Sequence, residues 1–333
     1  MTLVVGRRVG QRVAVVADTM LVEHDRPLPF QDGVVKSCML PGNLCVSFSN
    51  SPDTAARAIE EFVVTYPRGI DPERAVQFFE RSSANTGNDY LLAFDHPARL
   101  VSVVDGRHRA SDSLTQWIGD KDAYNAFREH EARQRERPEQ GRAINAVLFA
   151  DEIANSPASA LFSTMRSVVA ARANSSVGGF ISVVSNRDIG FRFSAYSDML
   201  YDWPARKPYD YRLELSDQIA FTSTLENSSF AVAQVSPGFL NRNLVAFYLT
   251  KARKLFLFFG DANGLAKNCR VFSDIPATRI DQTLNAFLKS DLRWLLLVTS
   301  PRSAPAIVEV PNVESPGNQF AFYCEANTFP KAP

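Results

Sequence analysis

The chain has 333 residues, 45% of them apolar and 22% charged, with 36 basic and 36 acidic side chains. That length is expected to give one or two domains with a sizeable core, and the composition lies far from the disordered regime. A formal net charge of zero leaves no field that would gather nucleic acid or an anionic membrane surface, and no window approaches the roughly 18 uninterrupted apolar residues of a membrane-spanning helix.

In chain order, "LVVGRR" (3–8) and "RVAVVAD" (12–18) read as a hairpin around Val9-Gly10-Gln11. Arg7, Arg8, Arg12 and Asp18 interrupt this first segment as a signal peptide. "GVVKSCML" (33–40) and "NLCVSFS" (43–49) form a second pair around Pro41-Gly42. The period then changes: Ala55, Ile59, Phe62, Val63 and Tyr66 recur at helical spacing over 51–67, and "DPERAVQFFERSS" (71–83) repeats the signature. Strands return at 89–95 and 100–106, followed by a solvated helix of alternating charge from about Asp120 to Arg137. "PASALFSTMRSVVAARA" (157–173) carries one apolar stripe, ends at Val177-Gly178-Gly179, and leads into a hairpin over 180–197. The Pro-containing stretch 203–208 marks a boundary, with residues 1–203 as one domain and 204–333 as a smaller α+β module without visible chemistry. That module holds exposed-looking aromatic strands, suited to an interface, and a helix over 278–290.

The familiar chemistry motifs are absent: there is no H-E-x-x-H, P-loop or G-x-G-x-x-G, and His24, His96, His108 and His130 are scattered. No metal and no cofactor is expected. The four cysteines (38, 45, 269 and 324) show no C-x-x-C spacing and read as buried free thiols, which points to a cytoplasmic protein. What stands out is the start of the chain: Thr2 opens the first strand, Asp18 closes the second, and Lys36 lies in the third.

In these residues the chain resembles the proteasome-type peptidases of the N-terminal-nucleophile (Ntn) hydrolase superfamily, HslV and the proteasome β subunits among them. Such enzymes open on a threonine, end the second strand on an "AD" or "GD" dipeptide, and carry a lysine in the third. The stretch 34–62 parallels their next strands and first helix, and 160–193 their later helices, Gly-Gly turn and final hairpin. The resemblance covers about residues 2–200 and implies an α/β fold: a four-layer αββα sandwich followed by the C-terminal module. It also implies a homo-oligomer, with a ring and an ATP-dependent unfoldase as partners of that type, and a peptide or small amide as substrate.

The chemistry of the trio can be stated independently. A threonine hydroxyl needs a base, and the α-amine freed by loss of Met1 has a pKa of about 7.7–8, close to working pH. Lys36 would push that amine toward neutrality, and Asp18 would hold Lys36 charged. By family position the Asn50 backbone N–H stabilises the oxyanion, Phe48 lines the floor of a substrate pocket beside Ser49, and Asp120 and Asn174 complete the site. Three positions depart from the family pattern: Asn50-Ser51 replaces Gly-Gly, Asn174 replaces an aspartate, and Val177 replaces a serine. Asp120 stands where the family has a serine: on one reading it regains the carboxylate lost at Asn174, and on the other the changed positions mark a decayed site. The expected function is an N-terminal-threonine peptidase. Its rivals are an Ntn amidase acting on a small amide and an inactive, proteasome-like structural subunit.

Overall fold

The structure is a computed structural model of the chain, and it describes residues 2–23, 26–109, 113–136, 144–149, 157–170, 176–187, 190–201, 210–215, 219–224, 230–237, 243–249, 253–260, 264–292, 294–295, 307–311 and 319–323. Strands β1 (Leu3–Val9) and β2 (Arg12–Asp18) form the first hairpin, followed by a short ribbon of β3 (Val22–Glu23) and β4 (Arg26–Pro27). Next come β5 (Ser37–Leu40), β6 (Leu44–Phe48), helices α1 (Pro52–Thr65) and α2 (Pro72–Thr86), then β7 (Tyr90–Phe94), β8 (Arg99–Val104), β9 (Arg107–Arg109) and β10 (Thr115–Gly119). Helix α3 (Lys121–Glu136), β11 (Ile144–Phe149), α4 (Ala158–Ala170), β12 (Ile181–Arg187), β13 (Gly190–Phe193) and β14 (Tyr196–Tyr201) follow.

Two five-stranded antiparallel sheets result, in the orders β10-β1-β2-β12-β13 and β5-β6-β7-β8-β9. Period-2 alternation sorts their side chains. Val4, Val13, Val15 and Ala17 of the first sheet meet Met39, Cys45, Leu91, Ala93 and Leu100 of the second in one buried cluster. The opposite face of the first sheet, through Leu3, Val5, Ala14 and Val16, packs on Phe127, Leu161, Phe162 and Met165 of α3 and α4. The opposite face of the second, through Val46, Phe48 and Leu92, packs on Ile59, Phe62, Val76 and Phe79 of α1 and α2. Both of these helices start as their sequences dictate: Ser51 and Asp71 cap α1 and α2, each with proline in the first turn.

The last third begins with two β-ribbon strands, β15 (Asp210–Leu215) and β16 (Ile219–Thr224), then β17 (Phe230–Pro237), β18 (Val245–Leu249), β19 (Lys254–Phe259) and β20 (Asn268–Phe272). It closes with α5 (Ile280–Leu288), β21 (Trp294–Leu295), β22 (Ile307–Pro311) and β23 (Gln319–Tyr323). A third large sheet runs β11-β14-β17-β18-β19-β20, with β21 paired to β17. A division after residue 203 therefore separates β14 from β17, which are hydrogen-bonded neighbours. The aromatic strands β18 and β19 are also not exposed, contrary to their sequence reading. Val245, Phe247, Phe256 and Phe258 enter the cluster between the sheets, while Ala246, Tyr248, Leu255 and Leu257 pack on Ile280 and Leu284 of α5. Strands covered on both faces read as continuous apolar runs, so their sequence alone does not distinguish a buried strand from an uncovered one. Among the described residues, no helix is long and apolar enough to cross a membrane.

Phe180 joins the two halves of the chain: it stacks on Phe247 at a centroid distance of 4.5 Å and tilts against Phe256 at 5.1 Å. Phe180→Ala is expected to cost about 3–5 kcal/mol in urea unfolding of the full chain. Val64→Ala, at a side chain 77% exposed on α1, should stay within about 0.5 kcal/mol. Equal effects of the two substitutions would remove Phe180 from that role.

Candidate active site

The register of the first hairpin fixes where the chain start lies. Val4 pairs with Ala17, so Leu3 and Thr2 run past Asp18 at the end of β2. The Asp18 carboxylate is completely buried and receives donors on both oxygens. Oδ1 accepts the Thr2 hydroxyl at 2.5 Å and the Leu3 N–H at 3.1 Å. Oδ2 accepts the Lys36 ammonium at 3.0 Å and the Gly178 N–H at 3.3 Å. Lys36 directly precedes β5, and its carbonyl accepts the Phe48 N–H at 3.0 Å, which ties it to the end of β6. Its Nζ donates to Thr2 Oγ1, to Asp18 and to the Met20 carbonyl at 2.7 Å, so all three ammonium protons have acceptors.

Burial lowers the Lys36 pKa, and the Asp18 carboxylate opposes that shift through its charge and its hydrogen bond. The outcome is a hydroxyl that donates to a carboxylate and accepts from a cation. An ammonium at that oxygen favours negative charge developing on it, more strongly here than in water because the pair is dry. Thr2 and Lys36 are each only 2% exposed, so neither is a surface group.

The main chain of Thr2 is held just as closely. Its carbonyl accepts the Asp120 N–H at 2.7 Å. Gly119 has φ +99°, and a Cβ there would lie 2.1 Å from the Thr2 carbonyl oxygen, so only glycine lets β10 approach. Asp120 then starts α3: its Oδ1 accepts the N–H groups of Asp122 and Ala123 at 2.8 and 3.0 Å. Its Oδ2 accepts the Ser176 hydroxyl at 2.6 Å. Burial raises the Asp120 carboxyl, but the Ser176 hydroxyl and the two N–H groups outweigh it and hold the group below its ordinary value.

The other expected site residues are placed as follows. Phe48 is enclosed in the cluster facing α1 and α2, together with Val34 and, at its edge, Leu21. Ser49 is buried and donates to Asp89 at 3.2 Å. Asn50 is exposed, with φ +74°. Asn174 lies outside the described residues. The structure thus brings Thr2, Asp18 and Lys36 into direct contact and joins Asp120 to them through the Thr2 backbone, whereas Phe48, Ser49 and Asn50 make no hydrogen bond to the trio beyond the Phe48–Lys36 strand contact among the described residues.

Sequence reasoning missed Ser176, the Met20 carbonyl and the Gly178 N–H. The first was one position away from the residue compared with the family serine, Val177, which instead packs in the core on α3 and α4. A search for any hydroxyl just before Gly178-Gly179 would have found it. Backbone partners leave no such signal, because any residue type supplies them. Among the described residues, no group of three or more His, Cys, Asp or Glu side chains lies together as a metal site.

Breaking one half of a buried ion pair strands the other half. Lys36→Met is therefore expected to cost about 3–5 kcal/mol. Adding Asp18→Asn should cost less than the sum of the two single changes, with a coupling of about 0.5–3 kcal/mol in a double-mutant cycle read by denaturant unfolding. Strict additivity would show that the pair is not energetically joined.

No family model matches the sequence, and no curated protein matches it. Among solved structures, the chain is similar to the eukaryotic HslV from Trypanosoma brucei at 12% sequence identity and a TM-score of 0.39, over 55% of this chain and 98% of that one.

Proposed function

We propose that the protein is an N-terminal-threonine amide hydrolase of the proteasome-like Ntn type, acting on peptides once Met1 is removed. The αββα layering expected of that type fits the order of helices and sheets described above. The observation that carries the reading is the Thr2 hydroxyl held between the Asp18 carboxylate and the Lys36 ammonium. In the proposed reaction Thr2 Oγ attacks the substrate carbonyl, and its proton passes to the freed α-amine of the same residue. The amine leaving group then takes that proton as the C–N bond breaks, which leaves an ester on Thr2. Water hydrolyses the ester with the α-amine again as base. Lys36 stabilises the alkoxide, Asp18 orients Lys36, and Asp120, bound to the Thr2 carbonyl and to Ser176, fixes the end of the chain. The Asn50 N–H serves as oxyanion donor. A homo-oligomer, a ring and an unfoldase partner belong to the same proposal.

One observation favours the structural rival. Thr2 is nearly fully buried, so the trio would act as a polar clip between β1, β2 and β5. Intact mass separates the two readings. The active form should lack Met1 and take up an electrophile directed at N-terminal threonine. Thr2→Ala should abolish both labelling and turnover of fluorogenic peptides, and should cost about 1–3 kcal/mol because Asp18 and Lys36 each lose a buried partner. Thr2→Ser should keep the chemistry. Turnover by Thr2→Ala, or retention of Met1 throughout the preparation, would overturn the peptidase.

By family position specificity is assigned to Phe48, whose ring is enclosed with Val34 in the cluster facing α1 and α2, so it would shape a substrate pocket from behind its surface and favour small apolar side chains ahead of the scissile bond. Phe48→Ala should therefore widen acceptance toward larger apolar residues by about 10–200-fold in relative kcat/KM, against a core cost of about 3–5 kcal/mol. An unchanged preference across a peptide panel would return Phe48 to a purely structural role.

A further inference from the structure

The short link between β6 and α1 is bonded residue by residue to the link between α2 and β7. Ser49 N–H donates to the Asp89 carbonyl at 3.0 Å, and the Ser49 hydroxyl to the Asp89 carboxylate at 3.2 Å. Ser51 N–H donates to Asn88 Oδ1 at 2.9 Å, while Asn88 Nδ2 donates back to the Ser51 carbonyl at 3.1 Å. Asn88 is completely buried, and its Nδ2 also reaches Thr54 Oγ1 at 2.8 Å. Between these two tied N–H groups stands that of Asn50, which has no partner among the described residues.

Asn50 also carries an uncommon backbone. Its φ of +74° lies in the left-handed region, which Cβ-bearing residues enter rarely and asparagine more readily than most. Its side chain turns to the neighbouring link, where Nδ2 donates to the Gly87 carbonyl at 2.8 Å. Gly87 is the C-terminal cap of α2, at φ +72°, so the anchor is a helix end rather than a free loop. Asn50 stands just ahead of the Ser51 cap of α1, where the helix dipole favours negative charge. Asn50 stands where the family pattern has glycine, and its side-chain amide is committed to the Gly87 carbonyl.

We propose that the Asn50 side chain is a positioning group: anchored on the Gly87 carbonyl, it holds the left-handed backbone that keeps the Asn50 N–H free for the oxyanion. This rests on Thr2 as the nucleophile. As the Thr2 Oγ–C bond forms, the carbonyl π electrons move to oxygen, the hydroxyl proton goes to the α-amine, and the new oxyanion accepts the Asn50 N–H. On collapse the oxyanion electrons re-form the carbonyl, the C–N bond electrons leave with the amine nitrogen, and that nitrogen takes the proton held by the α-amine, which leaves an ester on Thr2.

Three variants of the full chain, freed of Met1, test it. Asn50→Ala loses the anchor and resists positive φ, so kcat should fall toward the about 10²–10³-fold loss of a missing oxyanion donor while KM moves little. Asn50→Gly adopts the same φ without an anchor and should restore at least about tenfold of that loss. Asn50→Asp has no donor for the Gly87 carbonyl and should not restore it. Amide hydrogen exchange at residues 49–51 needs no turnover and should be faster in Asn50→Ala than in the wild type. Unchanged exchange, or Asn50→Gly no better than Asn50→Ala, overturns the clamp. A Met1-free wild type that hydrolyses no substrate overturns the Thr2 reading instead, and exchange alone then decides whether Asn50 anchors the link.

Discussion

A carboxylate removed from water is costly unless donors surround it, and Asp18 is completely buried. Its two oxygens take the Thr2 hydroxyl, the Leu3 N–H, the Lys36 ammonium and the Gly178 N–H. These donors come from the start of β1, the approach to β5 and the turn before β12. No local segment could satisfy the group, so the charge is tolerated only when those parts of the chain converge. Fold and site are therefore one requirement. The same holds for Lys36, whose ammonium protons are all taken by oxygens brought from β1, β2 and the residue Met20.

The turn at Gly178-Gly179 makes this convergence possible. Gly179 has φ +77°, and a Cβ there would stand 2.6 Å from Thr19 Oγ1. Around it the chain locks residue by residue: Met20 N–H donates to the Gly178 carbonyl at 3.1 Å, Thr19 N–H to the Phe180 carbonyl at 2.9 Å, and Phe180 N–H to Thr19 Oγ1 at 2.8 Å. Thr19 also accepts the Val34 N–H at 2.9 Å through its carbonyl, which draws the strand bearing Lys36 against the end of β2. Backbone bonds at these spacings hold the ion pair more rigidly than side-chain packing would, since they leave few soft dihedrals between the charges.

Much of this was legible in the sequence, and the limits have physical causes. The hairpins around Gly10, Gly42 and Asn186–Gly190 announced themselves by turn residues and period-2 apolar runs, and α1, α2 and α4 by caps and period-3.6 stripes. Thr2, Asp18 and Lys36 could be named only through the resemblance to the Ntn family, because each of them alone is ordinary at its place in the sequence. Their burial could not, because burial is set by β10 and by the last third, both distant in sequence. β10 itself was missed: "TQWIG" is short, polar at Thr115 and Gln116, and closes the sheet only by pairing with β1. Exposure of the aromatic strands was misread because a run such as "KLFLFFG" fits any doubly covered strand, and its covers, Phe180 and α5, lie elsewhere in the chain. The Asn50 side chain illustrates the same limit, since its conformation depends on the Gly87 carbonyl, 37 residues away.

The described residues of the last third bear on the site through the edge of the second sheet. β5 is an edge strand there, and an uncovered edge leaves backbone groups unpaired and the strand loosely placed. Asn243 closes part of that edge in the manner of a strand partner: its Oδ1 accepts the Met39 N–H at 2.8 Å and its Nδ2 donates to the Met39 carbonyl at 3.3 Å. Farther toward the site, the Val35 N–H donates to the Ala266 carbonyl at 3.1 Å. Lys36 is thus framed on one side by Ala266, through its neighbour Val35, and on the other by the bond from Phe48 to its own carbonyl. Met39 and the aromatic cluster around Phe247 fasten the same strand from the apolar side. A lysine whose ammonium must stay within hydrogen-bond reach of three oxygens tolerates little displacement of its backbone. The residues beyond 203 supply the bracing that an edge strand lacks, which gives that part of the chain a direct mechanical connection to the catalytic chemistry proposed for Thr2.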